Sequence, residues 1–208
     1  MTQTLAVLRP EPGNAATAAR IEELGHVALR LPLFAVRALA WEVPDPADFD
    51  ALLLSSANAV RHAGPGLARL RSLPVHAVGS ATAAAAQAAG LTVAAVGEGG
   101  VDALAPPGRV LRLVGREHRS APAARTIPVY ASDALSPDLS ALPHTTALLH
   151  SPRAAARLSA LVGERGHIAI AAISDAARVA AGTGWRSVAV ADHPSDAALI
   201  AAALALAD

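Results

Sequence analysis

The chemistry available to this chain sits in short loops rich in Gly, Ser, Thr and Arg. The clearest are Ser55-Ser56-Ala57-Asn58, Gly79-Ser80-Ala81-Thr82, His150-Ser151-Pro152-Arg153 and Ser174-Asp175, joined by residues 9–14, 97–100, 115–119 and 193–195. Each follows an apolar run and opens a helix. A helix N-terminus presents free N–H groups and a partial positive charge, so it favours anions. Hydroxyls add neutral donors, and Arg9 and Arg153 add planar forks matched to carboxylate or phosphate. The set suits a ligand carrying several negative groups. Ser and Thr at such positions also cap helices, so each has a structural role beside any binding role.

Other chemistry is excluded. The chain has no cysteine, so disulfides and thiolate nucleophiles or ligands are absent. All 17 basic residues are Arg, which removes lysine Schiff-base chemistry. The net charge is zero and aromatics are 2%, which speaks against nucleic-acid binding. Gly97-Glu98-Gly99-Gly100 has too few placed glycines for a dinucleotide fingerprint. The eight His residues are scattered; His144 and His150 straddle a strand, so no metal site is expected. No Gly-x-Ser-x-Gly elbow occurs. The first residues lack a signal-peptide pattern, and the apolar run 197–207 is too short to span a bilayer. The expectation is a soluble cytoplasmic protein with no membrane partner.

The elements that position these loops form a repeat. Shifting the 208-residue sequence by 95 aligns residues 51–60 with 146–155, 76–83 with 171–178, and 93–96 with 188–191, without gaps. Each block reads as strand, tight turn, helix. Two shorter strand–helix–strand units flank them: strands at 5–8 and 27–31 around a helix at 15–24, and strands at 110–114 and 127–130 around a helix at 119–125. Alternating strands and helices of this size give an α/β fold with parallel sheets and helices on both faces. The pattern leaves open which flanking unit completes which block. Sequential and swapped domains fit equally, with crossings near residues 33–41 and 130–135.

The strand-end motifs Leu53-Leu54-Ser55-Ser56-Ala57-Asn58-Ala59-Val60, Ala77-Val78-Gly79-Ser80-Ala81-Thr82-Ala83 and His193-Pro194-Ser195-Asp196-Ala197-Ala198-Leu199 resemble those of uroporphyrinogen-III synthases. So do Val7-Leu8-Arg9-Pro10 and Ile127-Pro128-Val129-Tyr130. The resemblance covers nearly the whole chain. It implies two similar parallel-sheet domains joined by a two-stranded linker: one from residues 1–35 and 134–208, the other from 40–130, with linker strands at 35–40 and 130–134. It implies a cleft site for hydroxymethylbilane, a linear tetrapyrrole with eight carboxylates. Water is lost, the macrocycle closes and the last pyrrole ring is inverted. No cofactor or metal is implied, and a monomer is expected, with possible transient hand-over from the enzyme that forms hydroxymethylbilane. The competing reading is a non-catalytic tetrapyrrole-binding module on the same scaffold.

The resemblance also implies roles. Tyr130, the only Tyr, is expected to end a strand at a domain crossing and to assist loss of the hydroxyl. Thr82, with Gly79 and Ser80, matches the family's Gly-x-x-Thr turn and is expected to hold a substrate carboxylate. Ser55, Ser56, Asn58, Ser151 and Ser174 are candidates on equivalent loops, and Arg9 and Arg153 are candidate carboxylate partners. Two departures stand out. In the second half the turn becomes Ser174-Asp175-Ala176-Ala177, which replaces the Thr by Ala177 and adds a negative charge. The loop starting at Gly115 is shorter and ordered differently from the family's usual Arg- and Gly-rich form.

Overall fold

Apolar runs become strands, and the strands collect into two sheets. A computed structural model describes residues 1–97, 104, 106–118 and 124–207. The chain divides into two compact units, Met1–Ala35 with Ala134–Asp208, and Val36–Asp133.

Unit 1 holds β1 (Thr4–Val7), α1 (Gly13–Glu23), β2 (Val27–Arg30), β9 (Thr146–Leu149), α4 (Pro152–Leu161), β10 (Ala169–Ala172), α5 (Asp175–Ala181), β11 (Ser187–Val190) and α6 (Asp196–Leu204). Its sheet has the order β11-β10-β9-β1-β2, and every pairing is parallel. The inner strands β9 and β10 are buried at every position, while the edge strands β2 and β11 are partly exposed. Continuous burial requires cover on both faces. Leu5, Val7, Leu148 and Ala171 pack with Ile21 of α1 and Leu199, Ile200 and Ala203 of α6. Their neighbours Ala6, Leu8, Ala147, Leu149, Ile170 and Ala172 turn the other way, onto Ala154, Ala155 and Leu158 of α4 and Ala177 and Ala181 of α5. The period-2 alternation of strand side chains thus builds two thin cores on one sheet.

Unit 2 contains β4 (Ala51–Leu54), α2 (Ala57–His62), β5 (Val75–Val78), α3 (Ser80–Ala88), β6 (Val93–Gly97) and β7 (Val110–Gly115). The strands β3 (Phe34–Ala38) and β8 (Ala124–Ala134) carry the chain across the unit boundary. The order is β3-β8-β7-β4-β5-β6. Strands β4 to β8 pair in parallel. β3 runs opposite to β8: Leu33 O accepts from Leu135 N–H while Leu39 N–H donates to Val129 O. Ala59, Val60, Leu67, Leu70, Ala83 and Ala86 cover one face of this sheet. α3 ends in a glycine cap: Gly90 has φ +76°, Gly90 N–H reaches Gln87 O, and Leu91 N–H reaches Ala86 O.

The first flanking unit therefore completes the second repeat block, because β1 lies beside β9. Conversely, β7 lies beside β4. Two expectations are corrected. The strand expected at 127–130 runs from Ala124 to Ala134, so Ala124 and Arg125 are strand where the sequence pattern read the end of a helix. Thr126, Ile127, Val129 and Tyr130 are β-branched or aromatic, and pairing with β7 extends back to Ala124, overriding the helical preference of alanine and arginine. The rest of that helix, and the one expected after Gly97, lie outside the described residues. Among the described residues no helix is long and apolar enough to cross a membrane.

Leu148 sits on the central strand of unit 1 with no exposed surface. Leu148→Ala should lower stability by about 3 kcal/mol in urea denaturation. A loss below about 1 kcal/mol would contradict a closed core at that position.

Candidate active site

In each sheet the strand order changes direction once, between β1 and β9 in unit 1 and between β7 and β4 in unit 2. Connections leave such a point in opposite directions, which opens a crevice at the carboxyl edge, where ligands bind in open α/β sheets. Within the described residues, the candidate loops lie on these two edges.

On the unit 2 edge, Ser55, Ser56 and Asn58 follow β4 and are half-buried. Ser56 is the N-cap of α2; its Oγ accepts from Asn58 N–H at 3.2 Å, and Asn58 Oδ1 accepts from Arg61 at 3.3 Å. Gly79 follows β5 at φ +84°, a conformation that only glycine adopts at little cost. No side chain caps α3, so its first-turn N–H groups have no side-chain acceptor. Ser80 is exposed on that turn, and Thr82 is 5% exposed. The Thr82 hydroxyl has no hydrogen-bond partner among the described residues.

Gly115 ends β7 and faces Tyr130 of β8. Tyr130 does not end its strand; it lies inside β8 and is half-buried, with its backbone carbonyl accepting from Arg116 N–H at 2.8 Å. Strand pairing persists to Ala134 because β3 continues the sheet alongside. The His62 ring approaches the phenol with centroids 6.2 Å apart. Burial, with a smaller contribution from Arg61, holds the His62 pKa below its ordinary value.

The unit 1 edge is organised by Asp196, the first residue of α6. Its carboxylate accepts from His150 Nε2 and Thr17 Oγ1, each at 2.8 Å, and from Arg20, with Arg9 at 3.5 Å. Burial alone would raise the Asp196 pKa. The donors His150, Thr17 and Arg20 outweigh it and hold the acid well below the usual carboxylate range. Arg9 is seated across Gly13, where any Cβ would meet its guanidinium. Asn14 anchors the same loop by donating to the carbonyls of Val7 and Arg9.

Arg153 stacks on Phe34 at 4.2 Å. Ser151, Ser174 and Ser195 cap α4, α5 and α6, each accepting from the third N–H beyond. The second-half departures acquire a physical reading. Ser174 closes the α5 turn that stays open in α3, Ala177 is buried, and Asp175 is paired with Arg178 at 2.7 Å. Among the described residues no group of three or more His, Asp or Glu side chains is placed to hold a metal ion.

Sequence reasoning missed Asp196, His150 and Thr17 as a group, and Gly115 and His62 beside Tyr130. An acidic residue directly after the capping Ser195 was a legible helix-start signal. The 3.6-residue period puts Thr17 and Arg20 on one face of α1.

The fold and its edges define a two-unit parallel-sheet α/β protein with anion-accepting strand-end loops. No curated protein sequence matches the chain significantly. The family model described as uroporphyrinogen-III synthase HemD matches residues 15–201. Among solved structures, the chain is similar to a uroporphyrinogen-III synthetase from Helicobacter pylori, at 19% identity and TM-score 0.71, covering 99% of this chain and 100% of that one. A mutant uroporphyrinogen III synthase from the extremely thermophilic bacterium Thermus thermophilus aligns at 18% identity and TM-score 0.57, covering 99% of each. These structural likenesses carry the fold. The chain belongs to the uroporphyrinogen-III synthase family, the cyclising lyases of tetrapyrrole biosynthesis.

A carboxylate whose pKa is depressed on folding stabilises the fold above its unfolded value and loses that contribution as pH falls toward the folded value. Asp196→Asn should cost about 2 kcal/mol at pH 7. The gap between wild type and variant should narrow as the pH falls below about 4. Urea melts at pH 7 and pH 3 measure both; a gap that does not change with pH would contradict the ionised hub.

Proposed function

We propose that this chain closes hydroxymethylbilane to uroporphyrinogen III with Tyr130 as hydrogen-bond or proton donor and the strand-end loops as the grip on the substrate's carboxylates. The observation that carries the reading is the α3 turn. A glycine at φ +84° stands where α2, α4, α5 and α6 each have a capping Ser, and the hydroxyl of the largely buried Thr82 beside it makes no hydrogen bond among the described residues. N–H groups and a hydroxyl left without acceptors fit a carboxylate arriving from outside.

The substrate's chemistry sets the task. Its pyrroles are electron-rich, so the terminal hydroxyl leaves as water once it is protonated or strongly hydrogen-bonded. The resulting azafulvene cation is delocalised. Attack by the last ring at its substituted carbon gives a spiro intermediate, and rearrangement then inverts that ring. Unassisted closure gives the symmetric isomer instead. The protein's main contribution is therefore geometric: holding the chain folded so that the correct carbon attacks. Tyr130 supplies the donor at the departing oxygen.

The carboxylates are shared among Gly79, Ser80 and Thr82, the loop Ser55, Ser56 and Asn58, and, in unit 1, Arg9, Ser151, Arg153 and Ser174. Ser56, Ser151 and Ser174 use an oxygen lone pair for capping and keep the hydroxyl proton for the ligand. The same reading makes the protein a cytoplasmic monomer that receives its substrate by transient hand-over from the enzyme that forms it. The tendency of free hydroxymethylbilane to close to the wrong isomer supports that hand-over.

The purified protein, given freshly generated hydroxymethylbilane, should yield mainly isomer III after oxidation to porphyrins and chromatographic separation. Isomer I alone would remove the catalytic reading and leave the tetrapyrrole-binding module. Tyr130→Phe should lower kcat at least tenfold with the fold retained in circular dichroism; near-normal turnover removes Tyr130 from the chemistry. Thr82→Val should raise KM about fivefold with kcat little changed, as expected for loss of one hydrogen bond to a charged group.

A further inference from the structure

The β7–β8 ladder contains one irregularity, and it falls at Tyr130. Val114 pairs with Pro128, but the next residue, Gly115, pairs with Tyr130, so Val129 is an extra residue on β8. Pro128 has no N–H to give the ladder, which makes the break inexpensive there. Because side chains alternate along a strand, one inserted residue reverses which of them faces a given neighbour. Without the insertion Val129 would stand opposite Gly115. With it, Val129 is fully buried and the phenol takes the place over Gly115.

Contact between the two is close. A Cβ built on Gly115 would lie 2.8 Å from Tyr130 Cζ, 2.9 Å from Cε2 and 3.0 Å from the hydroxyl oxygen, all on a ring whose backbone is held in a sheet. The Gly115 backbone itself does not require glycine, since its φ is not positive. The three atoms nearest to such a Cβ all belong to the Tyr130 side chain, so a side chain there has to displace the ring. From α2, His62 approaches the same ring at 6.2 Å between centroids and a 36° tilt, giving the phenol a second neighbour.

We infer that Gly115 is a positioning residue for ring closure: its bare Cα is the seat on which the bulged β8 strand lays the Tyr130 phenol. The inference rests on the reading of Tyr130 as the donor. A methyl group at Gly115 lifts the ring and moves the hydroxyl while leaving the carboxylate-gripping loops intact. Binding and chemistry then separate.

Gly115→Ala should lower kcat at least tenfold with KM within about twofold of wild type. The same substitution in a Tyr130→Phe background should cost less than twofold more, because the two act through one group. Since Tyr130 is the only tyrosine, selective ring labelling gives one NMR signal. That signal should shift in Gly115→Ala and stay in place in Thr82→Val. If Gly115→Ala is too unstable to assay, Gly115→Ala in a Tyr130→Ala background tests the clash. Removing the ring should restore most of the lost melting temperature. Normal turnover in Gly115→Ala, independent multiplication of its effect with that of Tyr130→Phe, an unmoved ring signal, or no recovery without the ring would each overturn the seat. Normal turnover in Tyr130→Phe alone would instead remove the donor reading, and the NMR comparison would still decide the seat.

Discussion

Parallel strands deliver all their carboxyl ends to one edge of a sheet, and everything functional in this protein depends on that constraint. In each unit the order of strands turns back once, and the loops on either side of the turn diverge. Arg9 and His150 come together in unit 1 because β1 and β9 are neighbours; Ser55 and Gly115 do so in unit 2 because β4 and β7 are neighbours. The candidate residues are scattered in sequence, yet topology assigns them to two edges before any side-chain contact is considered.

The two edges treat charge differently. Unit 1 gathers its charges onto one hub: Asp196 draws in His150, Thr17, Arg20 and Arg9, and serines close the starts of α4, α5 and α6, while His150 Nδ1 stays buried without a hydrogen-bond partner among the described residues. Unit 2 keeps an opening: the α3 turn has no side-chain cap, and Thr82 lies buried beside it. Partly buried donors without acceptors are costly unless a ligand supplies the acceptors. Asp196 offsets part of the positive charge of the two arginines around it and fixes where their guanidinium groups lie. One edge is therefore a pre-organised cationic frame and the other a set of waiting neutral donors.

Much of this was legible in the sequence. Short apolar runs marked β4 and β5, and the 95-residue repeat carried the same strand–turn–helix pattern to β9 and β10; β4, β9 and β10 are buried at every position and carry no competing signal. What escaped notice is non-local. Ala124 and Arg125 favour helix in isolation and are strand only because β7 lies alongside. The Asp196 hub joins residues 9, 17, 20, 150 and 196, whose proximity no local pattern encodes. The Gly115 contact depends on a single inserted residue in β8, and a one-residue change of register leaves no trace in composition or periodicity.

The interleaving of the chain has a consequence for its birth. Unit 2 is one continuous stretch, so its strands can pair as soon as they leave the ribosome. β1 cannot. Its partner β9 lies about 140 residues downstream, and until that strand is made Leu5, Ala6 and Val7, fully enclosed in the finished fold, have only β2 and α1 for company. β1 is therefore sheathed long after it is made, which makes the nascent unit of β1, α1 and β2 a segment in need of protection from its neighbours on the polysome.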